Sequence, residues 1–231
     1  APKVSDCTTS TRQNFQIILE PTVFSFRTPQ MPAPRDFLFD IGKVLLDFDF
    51  ESSLSRYISD DHSDPAAVLK KLLARKDEFE AGRIPLDRYI DWAMESLQFQ
   101  GSIEDFYHAW RDIFTPNLPM WEVCRKLKQE NHRLLLFSNT NAIHCPWIFE
   151  AFPDFEIFDG SILSFETGFI KPEPPIYEYA IETYGLVPEN TLYIDDLPAN
   201  IATGQDFGFR THRYDLHQHE RFEHWLAREM N

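Results

Sequence analysis

Asp36-Phe37-Leu38-Phe39-Asp40-Ile41-Gly42-Lys43-Val44-Leu45-Leu46 is the stretch whose reading decides the fold. An apolar run of strand length ends in a carboxylate, and a glycine two residues on lets the backbone turn while leaving the space beside that carboxylate open. Asp40 is thereby presented at a strand tip. In open parallel α/β sheets ligands bind outside the carboxyl ends of the strands, so a polar residue just past a buried strand is a candidate for chemistry. Taken alone, it also reads as an ordinary strand end at which Asp begins a turn.

Two later runs have the same form. Arg133-Leu134-Leu135-Leu136-Phe137 lacks polar alternation, as expected of a strand buried on both faces, and runs into Ser138-Asn139-Thr140-Asn141. Leu192-Tyr193-Ile194 ends in Asp195-Asp196, after which Pro198 opens a helix. Between them, Phe155–Phe158 reads as a further short strand, and Gly168-Phe169-Ile170-Lys171-Pro172-Glu173-Pro174-Pro175 as a stiffened loop that feeds a helix closing at Gly185. Phe209–His212 is expected to be the last strand, followed by a C-terminal helix with Phe222, Trp225 and Leu226 on its apolar side.

After the first strand the period changes to that of helices. Asp64-Pro65 resembles an N-cap followed by proline at the first helical position, leading into Val68, Leu69, Leu72 and Leu73. Leu86, Tyr89, Ile90, Ala93, Met94 and Leu97 make a second stripe. Ser102 with Asp105 is a capping box before Phe106, Trp110 and Ile113. The aromatic stripes read as interhelical packing. The predicted organisation is an extension over residues 1–35, a Rossmann-like α/β core from 36–49 and 116–231, and an inserted helical cap over 50–115. The extension is proline-rich toward its end and lacks the pattern of a signal peptide; its apolar pieces, such as Phe15–Leu19, are expected to lie against the domain.

Composition narrows the partners. The 231 residues are 43% hydrophobic and 15% aromatic, enough for a real core, and no apolar run reaches membrane-spanning length. A formal charge of -15 disfavours nucleic acid and anionic membranes as partners, and means that an anionic small substrate needs a local cation. Cys7, Cys124 and Cys145 lack metal-ligand spacing and read as free thiols of a reducing compartment, here the cytoplasm. Cys145 beside His144 is not read as a thiol nucleophile, because sequence neighbours point apart. His217-Gln218-His219-Glu220 reads as a solvated helix start rather than a second metal site. Nothing in the sequence decides the oligomeric state.

Three strand tips thus carry Asp40, Ser138-Asn139 and Asp195-Asp196, and a parallel sheet would bring them to one edge with the Lys171 loop nearby. Each has a plain alternative: Ser138 as a helix cap, Asp196 as the N-cap before Pro198, Lys171 as a solvated charge. Together they describe carboxylates that repel one another unless a cation such as Mg²⁺ is present. A hydroxyl, backbone N–H groups and a lysine opposite them suit a phosphoryl group.

Phe39-Asp40-Ile41-Gly42-Lys43-Val44-Leu45, Leu136-Phe137-Ser138-Asn139-Thr140, Gly168 to Pro174 and Tyr193 to Asn200 resemble, in order, the four motifs of the haloacid dehalogenase-like hydrolase superfamily. With the helical insertion, the resemblance is to its phosphatase branch, which includes sugar-phosphate phosphatases and the N-terminal domains of soluble epoxide hydrolases. It implies Asp40 as nucleophile, with Mg²⁺ held by Asp40, the Gly42 carbonyl and Asp196. It further implies Asp195 and Asn200 as groups that orient the ligands, Ser138 and Asn139 as phosphate-binding, and Lys171 as the neutralising charge. One position departs from the pattern. Family phosphatases place an acid/base Asp two residues after the nucleophile, and this chain has Gly42 there; the dehalogenase branch has tyrosine. Asp47 or Asp49 is the candidate proton donor. The alternative is a weak or inactive member that serves as a binding or scaffold protein.

Overall fold

The computed structural model describes residues 35–49, 70, 71 and 73–231. The chain divides into two units, Ala1–Met31 and Pro32–Asn231, and every described residue belongs to the second. The expected docking of the extension and the helix expected after Asp64-Pro65 lie outside the described residues, as does Cys7.

In chain order the elements are β1 (Asp36–Phe39), β2 (Leu46–Phe48), α1 (Lys76–Glu80), α2 (Leu86–Leu97), α3 (Ile103–Arg111), β3 (Phe114–Pro116), α4 (Leu118–Gln129), β4 (Arg133–Ser138) and α5 (His144–Ala151). They continue with β5 (Gly160–Leu163), the short α6 (Ser164–Thr167), α7 (Pro174–Tyr184), β6 (Thr191–Asp195), α8 (Pro198–Asp206), β7 (Arg210–Arg213) and α9 (His219–Glu229).

Five strands form one parallel sheet in the order β5-β4-β1-β6-β7. Alternate residues enter two different cores. Phe37, Phe39, Leu134, Leu136, Leu192 and Ile194 pack on one face, and Leu38, Leu135, Phe137, Ile162 and Tyr193 on the other. Both faces are covered, which is why the strand sequences run apolar without a break. From β1 the chain steps outward through β4 to β5, then crosses back to β6 and β7, so the strand order reverses at β1. The crevice at the carboxyl end of β1 is the switch point where ligands of such sheets bind.

The helical insertion leaves and re-enters through a small antiparallel pair, Leu46 opposite Pro116 and Phe48 opposite Phe114. It has a core of its own, in which Phe79 stacks on Tyr89 at 3.8 Å beside Ala93, Leu97, Phe106 and Trp110. The Ser102–Asp105 capping box starts α3: Ser102 N–H donates to Asp105 Oδ2 (2.8 Å) and Asp105 N–H to Ser102 Oγ (3.2 Å). The architecture is an α/β Rossmann-like core carrying an inserted helical domain.

One expected strand is corrected. Pro153–Ile157 is a 3-10 helix, and the strand follows at Gly160–Leu163. Phe155 is apolar because it packs edge-on against Trp121 (4.9 Å), not because it joins the sheet. β5 lies at the sheet edge, where only its last two residues are buried, so the small residues Gly160 and Ser161 suffice at its start.

Candidate active site

Register sets the site. Phe39 lies opposite Leu136 and Ile194, and Asp40 N–H continues the ladder to Ile194 O (3.0 Å), so Asp40 emerges beside the ends of β4 and β6. One oxygen from each of Asp40, Asp195 and Asp196 lies within 4.8 Å of the others. Among the described residues this is the one group able to hold a metal ion by its carboxylates, imidazoles or thiolates.

Lys171 reaches into this group from the loop before α7. Its ammonium donates to Phe137 O (2.6 Å) and Asp195 Oδ2 (2.6 Å) and forms an ion pair with Asp40 Oδ1 (3.3 Å). The loop is held by Asn139, whose amide donates to Lys171 O and accepts from Lys171 N–H, both at 2.8 Å. This engages both polar groups of the Asn139 side chain, and the residue lines the site cavity.

The three carboxylates are not equivalent. Asp195 is fully buried and accepts on both oxygens from Lys171, Tyr193 OH (2.6 Å), Leu197 N–H (2.8 Å) and Asn200 Nδ2 (3.0 and 3.1 Å). Asn200 is itself buried, and its carbonyl accepts from Tyr177 OH (2.9 Å). With Asp195 saturated, Asp40 and Asp196 are the carboxylates placed to take an outside ligand. Burial pushes the Asp40 carboxyl up to about 7, Lys171 pulls it down, and Asp195 pushes it up again. Burial and the neighbouring Asp195 raise Asp196 too. Burial alone would lower Lys171, but Asp195 and Asp40 hold it above its ordinary value. Three carboxylates against one ammonium leave an excess of negative charge in a buried place. A hard divalent cation with oxygen ligands, such as Mg²⁺, fits that donor set.

The site opens into a cavity of about 690 Å³, lined by Asp40, Gly42, Ser138, Asn139, Lys171 and Asp196 from the core, and by Leu73, Lys76, Asp77 and Glu80 from the insertion. Ser138 is buried beside Asp40 and hydrogen-bonds it, lowering its pKa. At position 42 there is little room: a Cβ would lie 3.1 Å from the Phe48 ring. Of the two candidate donors, Asp49 lines this cavity. Asp47 is half exposed, pairs with Lys43, and is held below the usual carboxylate range chiefly by that hydrogen bond. It lines an adjoining cavity of about 610 Å³, together with Asp196 and His217.

Of the insertion residues a sequence leaves undecided, Glu80 faces the cavity, Arg83 reaches Glu173 instead (3.8 Å), and Trp110 is buried in the insertion core; Tyr57 lies outside the described residues. Burial pushes the Cys145 thiol up to about 12 and His144 down to about 3, so the two form no ion pair. Tyr193, which the motifs do not single out, belongs to the site through its hydrogen bond to Asp195. Its signal was available, since it precedes Asp195 by two residues and so shares its face of β6.

The family profile of haloacid dehalogenase-like hydrolases matches residues 37–208. The D-ribitol-5-phosphate phosphatase of Bacteroides thetaiotaomicron is 27% identical over 186 residues, 77% of this chain and 90% of that protein. A haloacid dehalogenase family enzyme of the same organism, solved in complex with magnesium and inorganic phosphate, superposes with a TM-score of 0.67 at 24% identity over 78% of this chain and 93% of its own. A protein from Porphyromonas gingivalis described as a predicted hydrolase of the haloacid dehalogenase-like family gives 0.67 at 25% identity over 84% and 98%. No helix among the described residues is long and apolar enough to cross a membrane. With the family's profile covering most of its length and its strand tips converging on a carboxylate cluster and a buried lysine, the chain belongs to the haloacid dehalogenase-like hydrolases.

Proposed function

We propose that the protein is a phosphatase that hydrolyses a small phosphomonoester, such as a sugar or sugar-alcohol phosphate, through an aspartyl phosphate on Asp40. The observation that carries this reading is the meeting of Asp40, Asp196 and Lys171 in one cavity with Ser138. The kinship to a ribitol-5-phosphate phosphatase supports the substrate class.

An Asp40 oxygen attacks phosphorus, and the ester oxygen leaves. Lys171, held on three sides, neutralises charge on the nucleophile and on the transferring group without having to move. The Ser138 hydroxyl and the Asn139 N–H bind phosphoryl oxygens. Asp195, fixed by Tyr193, Leu197 and Asn200, holds Lys171 in place. Asp40, the Gly42 carbonyl and Asp196 would hold Mg²⁺, which supplies charge neutralisation at phosphorus when bound. Water then hydrolyses the aspartyl phosphate.

The test is turnover of p-nitrophenyl phosphate, whose phenolate leaves with little proton assistance. Steady turnover that is abolished by a chelator and by Asp40→Asn is expected. Binding without turnover would favour the scaffold reading that Gly42 suggests.

A further inference from the structure

The carboxyl absent at position 42 has a counterpart on the inserted domain. Lys76 and Glu80 stand one turn apart on α1 and both line the cavity that holds Asp40. Asp77 and Asp49 line it as well, but they are exposed, whereas Glu80 retains 7% of its surface. Its oxygen Oε2 lies 3.1 Å from Lys76 Nζ. The end of α1 is pinned to the core. Gly82 has φ +65 and packs so closely on α6 that a Cβ would lie 2.4 Å from Phe165 O. One residue later Arg83 reaches Glu173, in the same loop as Lys171. Glu80 is therefore a buried carboxyl on the wall of the cavity that holds Asp40, carried by an element packed against the core.

We propose that Glu80 is the general acid of the reaction, protonating the oxygen that leaves phosphorus and so replacing the carboxyl missing at position 42. The inference rests on the phosphatase reading above. As the Asp40–phosphorus bond forms and the ester bond breaks, the Glu80 proton passes to the leaving oxygen and an alcohol departs. When water attacks the aspartyl phosphate, its proton returns to Glu80, Asp40 is regenerated as carboxylate, and phosphate leaves. The surroundings suit a proton carrier: burial raises the affinity of Glu80 for its proton, Lys76 opposes this, Asp77 adds to it and Lys171 opposes it from the core. Tyr89 of α2, a phenol raised beyond its ordinary value by burial and then by Glu80, stays neutral beside it.

The experiment compares wild type, Glu80→Gln and Asp49→Asn on p-nitrophenyl phosphate and on the alkyl phosphate that a metabolite screen finds best. Glu80→Gln is expected to lose about 10²- to 10⁴-fold in kcat on the alkyl phosphate with little change in KM, and only a few-fold on the nitrophenyl ester. The alkaline limb of the alkyl pH–rate profile is expected to disappear. Equal losses on both substrates, a rise in KM alone, or the same signature from Asp49→Asn in place of Glu80→Gln would each overturn the proposal. So would a wild type that turns over the nitrophenyl ester and no alkyl phosphate. A wild type that hydrolyses neither ester would instead overturn the phosphatase reading itself.

Discussion

Lys171 shows what a single residue does here that composition could not reveal. In a chain of net charge -15, a lysine on a proline-rich loop reads as a solvated cation, yet its ammonium is buried against Phe137 O, Asp195 and Asp40. Removing one partner of a buried charge group leaves the other uncompensated, which costs about 3–5 kcal/mol. Lys171→Met is therefore expected to be destabilised by roughly that amount in urea unfolding, and to lose activity. Adding Asp195→Asn to it should recover part of the stability, because the substitution removes the stranded charge and keeps an acceptor for Leu197 N–H, while the Tyr193 hydroxyl can turn to accept from the amide. Simple additivity of the two variants would show that the pair is not coupled. The contrast with Lys43–Asp47, an exposed i,i+4 pair, is one of solvent: there the expected effect of breaking the pair is about 0–1 kcal/mol.

Among the elements, the strands that build the site were legible because burial on both faces writes an unbroken apolar run, as in Leu134–Phe137 and Leu192–Ile194. The Ser102–Asp105 cap was legible because its chemistry is local. The pair β2–β3 was not, since three-residue strands carry no period and their partners are distant in sequence. Nor was β5, whose edge position asks little of its residues, or the side of α1 that faces Asp40, which depends on where the insertion rests on the core. That resting point is Gly82, and it makes a prediction. Gly82→Ala puts an L-residue in the left-handed region, worth about 1–2 kcal/mol, and sets its Cβ against a backbone carbonyl that has no rotamer with which to yield. The variant should lose at least about that much stability in chemical denaturation. As α1 is displaced, it should also lose more rate on an alkyl phosphate than on p-nitrophenyl phosphate. An unchanged ratio of the two rates would mean that α1 does not need this contact to meet the site.

For the whole molecule, the site is a place where stability is given up to keep charge in reserve, and the sign of its pH dependence follows from Asp40. Its carboxyl is held at about 7 when folded, chiefly by burial, against an ordinary value of 3.8. Between these values the folded protein binds a proton that the unfolded chain has released, so the Asp40 contribution is present below about pH 4 and is lost as pH rises through about 7. A gap of about three pH units corresponds to a few kcal/mol at most. Asp40→Asn lacks this ionisation while keeping the shape of the side chain. In a chelator, the variant is expected to match the wild type near pH 4 and to exceed it by up to a few kcal/mol near pH 8. Magnesium should then reverse the order at pH 8, stabilising the wild type by an amount that grows with the logarithm of its concentration and leaving Asp40→Asn nearly where it was. Because protons and the ion compete for the same carboxylate, the magnesium effect should weaken as pH falls below about 7. Thermal denaturation of both proteins at the two pH values, with and without magnesium, reads all of these. A variant less stable than the wild type at pH 8 without metal would mean that the Lys171 contact, and not burial, governs the charge on Asp40.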